Sequence, residues 1–419
     1  MEYILDDYMG IIKITLIYLF LFFTTFEIAA AQDITLNGKV VAANDNTGLP
    51  YVNINIPAIG VSTVSNDEGE FALKFATNYT AHDSIVFSFI GYKTKSINIR
   101  DALKTKELTV ILTPSIEQLK EVAIKPLSVK QLLDSIVQHN QSAFISPMKL
   151  NGYYREFVFT NAKCTEYADA LIKYYHNRAP KVGGQLKIIA SRCEKATAKK
   201  IDSNNYESFY VDSKVNADLM FRYATLSELI AHYFPDNRLT NYTYTIQVNN
   251  TNNDLLVVIY PKQYDAVFFI YKIQFRLSDD FTLKYYRLEV PDGELKSIKE
   301  ASLLGIHGKF TGLTVEARYD ADKFGVYPEY FKYTSSSYIY GKCLGVSINQ
   351  TIDRKSEFVI TGIDTVDRLP FPRNEIYKKG NICNNGAAIN TEMLKSYNFI
   401  KPTQKDSLAI SAITAIQPE

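Results

Sequence analysis

Residues 48–71 read GLPYVNINIPAIGVSTVSNDEGEF, and this stretch decides the fold of the N-terminal part of the chain. Within it, residues 52–56 alternate valine and isoleucine with asparagine, so Asn53 and Asn55 would face away from the apolar side chains of a strand. The polar run at 66–69 supplies side chains that cap a turn and a glycine that accepts a positive φ angle. The stretch therefore predicts short antiparallel strands joined by tight turns.

The same pattern of short apolar runs continues on both sides of this stretch. Turn residues separate the runs at intervals of about 8 to 12 positions, which is typical of an all-β sandwich. The runs are Ile34–Ala42, Tyr51–Ile56, Phe71–Phe75, Ser84–Ile90, Tyr92–Ile99 and Leu108–Leu112.

Four motifs follow one another in this region: GKV at 38–40, GLPYV at 48–52, TVSNDEGEF at 63–71 and FSFIGY at 87–92. In this order they resemble the carboxypeptidase regulatory-like domain that is common in exported proteins of the Bacteroidetes. The resemblance implies a seven-stranded, transthyretin-like β-sandwich. It implies no catalysis, because in that family the module accompanies enzymes and transporters without contributing active-site residues.

The pattern changes after this region to helices followed by a meander of strands. Ser128–Asn140 has apolar residues at helical spacing, and Ser128 with Gln131 forms a capping box. A second helix is predicted over Ala217–Phe234. Turn residues then separate strands of an antiparallel sheet. These predicted strands are Tyr242–Val248, Leu255–Tyr260, Val267–Leu277, Leu283–Val290, Phe310–Tyr319 and Tyr327–Tyr340.

Together the patterns predict a mainly β chain with α+β character: an N-terminal seven-stranded β-sandwich, then a larger domain with an antiparallel sheet and a few helices. The mixed charges at 117–125 indicate an exposed linker, and the C-terminal segment lacks sustained periodicity. The predicted division is a signal peptide over 1–31, the regulatory-like sandwich over 32–115, a linker over 116–127, the α+β domain over 128–380 and an irregular tail over 381–419.

The N-terminal segment has the features of a secretory signal peptide. Ile14–Phe26 is an apolar run too short to span a bilayer as a helix, and an A-x-A site precedes Gln32. The residues before the run carry more acidic than basic side chains, which favours a translation start at Met9 over one at Met1. We therefore expect export to the periplasm or cell surface of a Gram-negative bacterium, with no transmembrane segment after cleavage.

Export would place four cysteines, Cys164, Cys193, Cys343 and Cys383, in a compartment where disulfides persist. Four cysteines allow three pairings. Pairing of neighbours, Cys164 with Cys193 and Cys343 with Cys383, closes the shortest loops and is the expected arrangement. Free buried thiols are the alternative.

A second region also resembles Bacteroidetes proteins that carry the regulatory-like domain, with GYYREF at 152–157 followed by EYADA at 166–170. No activity is attached to this resemblance. Its charged side chains have two interpretations, a buried ion network that stabilises the fold and a ligand site, and the first is favoured. These residues are Arg155, Glu156, Glu166 and Asp169.

The sequence carries no pattern typical of catalysis or of cofactor binding. The five histidines are scattered, with no H-E-x-x-H, and the chain has no G-x-S-x-G, no P-loop and no G-x-G-x-x-G. The 46 basic and 45 acidic residues leave no electrostatic footprint for nucleic acid. The sequence therefore predicts no catalytic, cofactor-binding or metal-binding residue.

The predicted function is accordingly coarse. We expect an exported, non-enzymatic binding or assembly protein of the cell envelope, whose partner is an envelope protein, a glycan or a lipid. The first alternative is a periplasmic carrier of a lipid or other apolar ligand, which requires a cavity of several hundred Å³. The second alternative is a hydrolase without a recognisable motif.

Overall fold

The structure is a computed structural model. It describes residues 34–77, 79–115, 119–121, 127–144, 147–176, 184–195, 223–249, 253–264, 270–295, 298–322, 325–343, 346–364, 367–378 and 382–414. The predicted signal peptide over 1–31 lies outside the described residues.

The N-terminal part, residues 34–115 and here called the sandwich domain, consists of seven strands and one helical turn. The elements are β1 Ile34–Ala42, β2 Asn53–Ile56, β3 Val61–Val64, β4 Glu70–Phe75, β5 Ser84–Ser88, β6 Lys95–Asn98, α1 Ile99–Ala102 and β7 Leu108–Leu112. β1 pairs antiparallel with β4 and parallel with β7, and the facing sheet has the order β6-β5-β2-β3. This is the β-sandwich that the spacing of turns predicts.

Alternating apolar side chains fill the space between these two sheets. Phe71 and Phe87 meet edge to face, with ring centroids 5.8 Å apart, and both are fully buried. Gly38 lies beside them, and a Cβ there would stand 2.2 Å from the Leu108 carbonyl oxygen. The glycine of the first motif is therefore required by close packing of β1 against β7.

The second part, here called the sheet domain, is built on one long antiparallel sheet. Its strands are β8 Leu119–Glu121, β9 Met148–Thr160, β10 Lys163–His176, β11 Gln185–Lys195, β12 Tyr242–Asn249, β13 Leu255–Pro261, β14 Lys272–Leu277, β15 Leu283–Glu289, β16 Ala301–Leu303, β17 Ile306–Asp322, β18 Gly325–Cys343, β19 Val346–Asp364 and β20 Ala387–Ala388. They pair in the order β8-β12-β13-β14-β15-β17-β18-β19-β9-β10-β11-β20, and β11–β20 alone in this series is parallel. The short β16 pairs with the start of β17.

Two helices, α2 Val129–Ala143 and α3 Leu226–Tyr233, cover one face of this sheet, the inner face, and form the main core with it. The predicted capping box of α2 is present, because the side chains and backbone N–H groups of Ser128 and Gln131 bond reciprocally. Asn140 joins the helix to the sheet, since its side-chain oxygen accepts a 2.7 Å hydrogen bond from the Leu283 N–H.

The structure corrects the predicted linker and tail. The linker over 116–127 contains β8, which pairs with β12. The tail over 381–419, predicted to be irregular, contains β20 and two helices, α4 Thr391–Ser396 and α5 Gln404–Thr414. Ile413 of α5 is fully buried and belongs to a small apolar cluster on the outer face of β9 and β10.

Other boundaries also differ from the prediction. No strand is predicted from the sequence at β3, β9, β10, β11, β16 or β19. The helix predicted over Ala217–Phe234 is α3 in the structure, and residues 217–222 lie outside the described part. The strand predicted over Val267–Leu277 begins at Lys272 in β14, and residues 267–269 are likewise not described.

The two domains contact each other directly. Val61 of β3 pairs with Gly362 of β19, and the Ser62 hydroxyl donates a 2.8 Å hydrogen bond to the Ile360 carbonyl. The ring of Tyr51 stacks on that of Tyr330, with centroids 4.9 Å apart. The outer face of the sheet, opposite α2 and α3, is therefore partly covered by the sandwich domain.

Within the described ranges, no helix combines the length and the apolar character needed to cross a membrane.

Candidate ligand-binding site between the domains

A cavity of about 670 Å³ lies where the sandwich domain meets the sheet domain, and we call it the interdomain cavity. Asn53, Ser88 and Phe89 line it from the sandwich domain, and Arg318 of β17 and Glu329 of β18 line it from the sheet domain. Asn53 faces away from the sandwich core, as the alternation predicts. It is nevertheless buried, because the second domain covers it.

Arg318 is the most unusual side chain of this cavity. It is only 6% exposed, and its Nε, Nη1 and Nη2 atoms all lack a hydrogen-bond partner among the described residues. Its guanidinium carbon lies 5.0 Å from the centroid of the Tyr330 ring and 5.9 Å from that of Phe89. Aromatic rings from both domains therefore contact a buried cation for which the described part of the chain supplies no acceptor.

Glu329 reaches the same cavity through a local irregularity of the sheet. Arg318 pairs with Tyr330 while Tyr319 pairs with Pro328, so Glu329 is the extra residue of a β-bulge. Its Oε1 atom is buried and has no hydrogen-bond partner within the described ranges. Burial raises the pKa of Glu329 to about 7, although the positive charge of Arg318 acts in the opposite direction.

Two further acceptors lie beside these residues. Asn53 Oδ1 is buried without a partner among the described residues. Asp320 accepts hydrogen bonds of 3.2 Å from Asn55 Nδ2 and from the Tyr327 hydroxyl. Counting only the described residues, the cavity wall thus brings together the unpaired guanidinium of Arg318, unpaired oxygens of Glu329 and Asn53, and the partnered carboxylate of Asp320.

The raised pKa of Glu329 makes the stability depend on pH. In the unfolded chain this carboxyl ionises near its ordinary value of 4.5, whereas in the folded protein it holds its proton up to about pH 7. The folded state therefore binds more protons in this window, and the free energy of unfolding should fall by up to about 3 kcal/mol as pH rises through it.

We expect Glu329→Gln to remove the part of this decrease that is due to Glu329, so that the variant equals the wild type near pH 4 and is more stable near pH 8; a contribution from Glu156, whose pKa is also raised to about 7, is common to both proteins. Urea unfolding at both pH values measures the difference. Glu107→Gln, at an exposed position, serves as the control and should leave the pH profile unchanged. Parallel profiles for wild type and Glu329→Gln would contradict the assignment.

The four charged residues singled out in the sequence do not form one cluster. Asp169 forms an ion pair with Arg192 at 2.7 Å, and Glu166 forms one with Lys195 at 3.1 Å. Glu156, whose pKa burial raises to about 7, accepts a hydrogen bond from the Tyr154 hydroxyl.

Arg155 has different partners from those considered in the sequence. It forms ion pairs with Glu357 of β19 at 2.7 Å and with Asp406 of α5 at 3.4 Å. Because Asp406 lies on the C-terminal helix, Arg155 helps to attach that helix to the outer face of the sheet.

A bridge of polar side chains extends this network to the sandwich domain. The Tyr51 hydroxyl and the Lys355 ammonium both bond to Asp67, and Lys355 also lies 3.4 Å from Glu357. These contacts hold the turn at 66–69 against the sheet. Within that turn, Asn66 Oδ1 accepts 2.9 Å hydrogen bonds from two backbone N–H groups, as a capped turn requires.

The cysteine pairing differs from the expected one. Cys193 forms a disulfide with Cys383, so the prediction that neighbours pair is wrong. Cys164 is a half-buried free thiol whose pKa burial raises to about 12. The side chain of Cys343 lies outside the described part. In the described ranges, no group of three or more His, Cys, Asp or Glu side chains is arranged to hold a metal ion.

The sequence contained little signal for the interdomain cavity. Arg318 lies in a strand where polar and apolar residues alternate as on any solvated sheet, and it is buried only because a second domain covers that face. Pro328 is the one local sign, since proline inside a strand indicates an edge or a bulge.

Among curated proteins, no sequence relative of this chain is found. Solved structures show weak likeness. A lipovitellin structure is 8% identical, with a TM-score of 0.26 over 62% of this chain, and this chain spans only 30% of it. A LolA superfamily protein from Nitrosomonas europaea is 9% identical, with a TM-score of 0.20 over 57% of this chain and 94% of its own.

A putative membrane-associated protein of unknown function from Bacteroides fragilis is also 9% identical, with a TM-score of 0.15 over 79% of this chain and 98% of its own. One family model matches, that of the CarboxypepD_reg-like domain, over residues 36–124. Its range covers all seven strands of the sandwich domain except the first residues of β1. The sandwich domain is therefore similar in sequence to the carboxypeptidase regulatory-like domain.

Proposed function

We propose that this chain is an exported, non-enzymatic binding or assembly protein of the cell envelope of a Gram-negative bacterium, of the kind found in the Bacteroidetes. In this proposal it holds a small polar ligand in the interdomain cavity. The signal-peptide pattern and the Cys193–Cys383 disulfide support export, because disulfides persist outside the cytosol.

The observation that carries the proposal is the composition of the cavity wall. Buried polar groups in proteins are normally hydrogen-bonded, yet Arg318, Glu329 and Asn53 leave five polar atoms unpaired at one place among the described residues. A volume of about 670 Å³ lies within the range of small-molecule sites. The proposal includes no catalytic role.

The carrier alternative rests on a different feature. The hairpin formed by β16 and β17 exposes Leu303 and Leu304 by 74% and 79%, beside an open apolar hollow of about 420 Å³. An apolar ligand or a lipid surface would fit there. The inner face of the sheet offers less support, because α2 and α3 already fill it with apolar side chains.

Native mass spectrometry tests the binding proposal. The full chain would be expressed with its own N-terminal segment and purified from the periplasm of a bacterial host. We expect a small co-purified mass that leaves on denaturation. Ser88→Tyr should abolish this mass, because Ser88 lines the cavity next to Asn53.

Ser135→Tyr, on the exposed side of α2, is the matched control and should retain the ligand. Two results together would contradict the proposal: no retained mass, and no shift in the unfolding temperature when a small-molecule extract of the host envelope is added. A retained lipid that survives Ser88→Tyr would instead favour the carrier.

A further inference from the structure

The guanidinium of Arg318 requires an anionic partner. An arginine side chain keeps its charge inside a protein, and a buried charge without a partner is strongly unfavourable. Arg318 is 6% exposed, and none of its three nitrogens has an acceptor among the described residues. No carboxylate in that part of the chain lies within ion-pair distance of it. An anion supplied by a ligand would satisfy this cation.

The surroundings of Arg318 leave its N–H groups available to a carboxylate. The Tyr330 and Phe89 rings lie 5.0 and 5.9 Å from the guanidinium carbon, and none of the three guanidinium nitrogens has an acceptor among the described residues. Two parallel N–H groups of a guanidinium match the two oxygens of a carboxylate.

The other unpaired atoms of the cavity wall are oxygens, and they call for a hydrogen-bond donor. Glu329 Oε1 and Asn53 Oδ1 are buried and have no partner among the described residues, so a donor from a ligand would satisfy the Asn53 oxygen and the Glu329 carboxyl in its ionised form. Asp320, on the same strand as Arg318, adds a negative charge to this wall. The Asp320 carboxylate, joined by that of Glu329 as it ionises near pH 7, disfavours a dianion such as phosphate, because like charges repel. A ligand of zero net charge with separate anionic and donor ends fits better.

We infer that the ligand of the interdomain cavity is a small zwitterion, in which a carboxylate binds Arg318 and an ammonium group binds Glu329 and Asn53. This is the chemistry of a free amino acid or of a short peptide. The inference rests on the proposed binding function and names the class of ligand that the cavity takes.

A panel of five probes tests this class on the full chain by titration calorimetry and by the shift in unfolding temperature. L-Alanine and the dipeptide Ala-Ala carry both charged groups at different separations. Lactate lacks the ammonium group, alaninamide lacks the carboxylate, and inorganic phosphate is a different anion. We expect one or both zwitterions to bind more tightly than the other three probes. The tighter of the two shows whether the ligand is a free amino acid or a short peptide.

Substitutions then connect the binding to the named residues. Arg318→Met should lower the affinity for the zwitterion about ten- to a hundredfold, because the charged hydrogen bonds to its carboxylate are lost. Arg100→Met, at an exposed position on α1, should leave the affinity unchanged. Should Arg318→Met fail to fold, Glu329→Gln provides the second variant. It should lower the affinity for L-alanine or Ala-Ala and leave the affinity for lactate unchanged.

The possible failures are distinguishable. Equal binding of phosphate or lactate and the zwitterions would overturn the ligand class, and unchanged affinity in folded Arg318→Met would overturn the role of Arg318. None of the five probes binding, together with a co-purified ligand that the wild type retains and Ser88→Tyr loses, would leave the proposed binding function standing. The inference that the ligand is a zwitterion would then be wrong. If neither probe nor retained mass is found, the binding function itself fails.

Discussion

Replacing Glu357 by Gln is expected to lower the free energy of unfolding by about 3 to 5 kcal/mol, because it leaves the Arg155 guanidinium charged, buried and without its closest partner. The side chains of Arg155 and Glu357 are 1% and 0% exposed, and they lie 2.7 Å apart. Glu357 also accepts a 2.8 Å hydrogen bond from the Tyr330 hydroxyl.

The charge state of Glu357 follows from the same contacts. Burial opposes its ionisation, but attraction by Arg155, Lys355 and Lys332 outweighs burial and holds its pKa below the ordinary range. A depressed pKa in the folded state adds stability above the ordinary value near 4.5 and loses it as pH falls below that value. The Glu357→Gln variant should therefore lose most stability near neutral pH and resemble the wild type in strong acid.

Urea unfolding measured near pH 7 checks this prediction. Asp101→Asn is the matched control, because Asp101 pairs with Lys104 on the surface and such pairs contribute less than about 1 kcal/mol. A double variant, Arg155→Met with Glu357→Leu, should recover much of the loss, since apolar replacement removes both buried charges. A loss as small as that of the control would show that the pair is solvated and not buried.

Removing the Cys193–Cys383 disulfide is the second large change. We expect the double variant Cys193→Ala with Cys383→Ala to lose about 3 to 5 kcal/mol, because the bond closes a loop of 190 residues and so restricts the unfolded chain. The bond also holds the C-terminal segment beside β11, where Ala190 pairs with Ala387. Limited proteolysis of the variant should therefore begin in the segment that follows residue 382.

Intact mass before and after reduction verifies the bond, and urea unfolding measures its contribution. Cys164→Ala is the control and should change stability by no more than about 1 kcal/mol, since this thiol is free and half-buried. Wild-type stability that is unaffected by reduction would contradict the prediction.

Local patterns were sufficient to predict the sandwich domain and much of the meander. Residues 52–56, the turn at 66–69 and the capping box at Ser128 depend on neighbours within a few positions, so their structure can be derived from short stretches. The long strands β9, β10 and β19 were not predicted. Their pairing is remote, because Arg155 of β9 lies opposite Glu357 of β19, some 200 positions along the chain.

The candidate site also combines features that depend on neighbouring residues with features that depend on distant contacts. Alternation correctly placed Asn53 on the face opposite Ile54. The charged residues at positions 155, 156, 166 and 169 were recognised from the sequence as candidates for an ion network or a ligand site. Which of those faces is covered, and by what, depends on docking of the sandwich domain and of α5 onto the outer face of the sheet. Arg318 looks like a solvated strand residue until Phe89 of another domain covers it.

The chain alone thus determines turns, strand alternation, helix caps and the motifs of the regulatory-like domain, because each of these depends on interactions between near neighbours. The partners of Arg155, the pairing of Cys193 with Cys383 and the unpaired guanidinium of Arg318 were decided by the packed fold. They depend on contacts between distant segments, and no spacing in the sequence reports which distant segments meet.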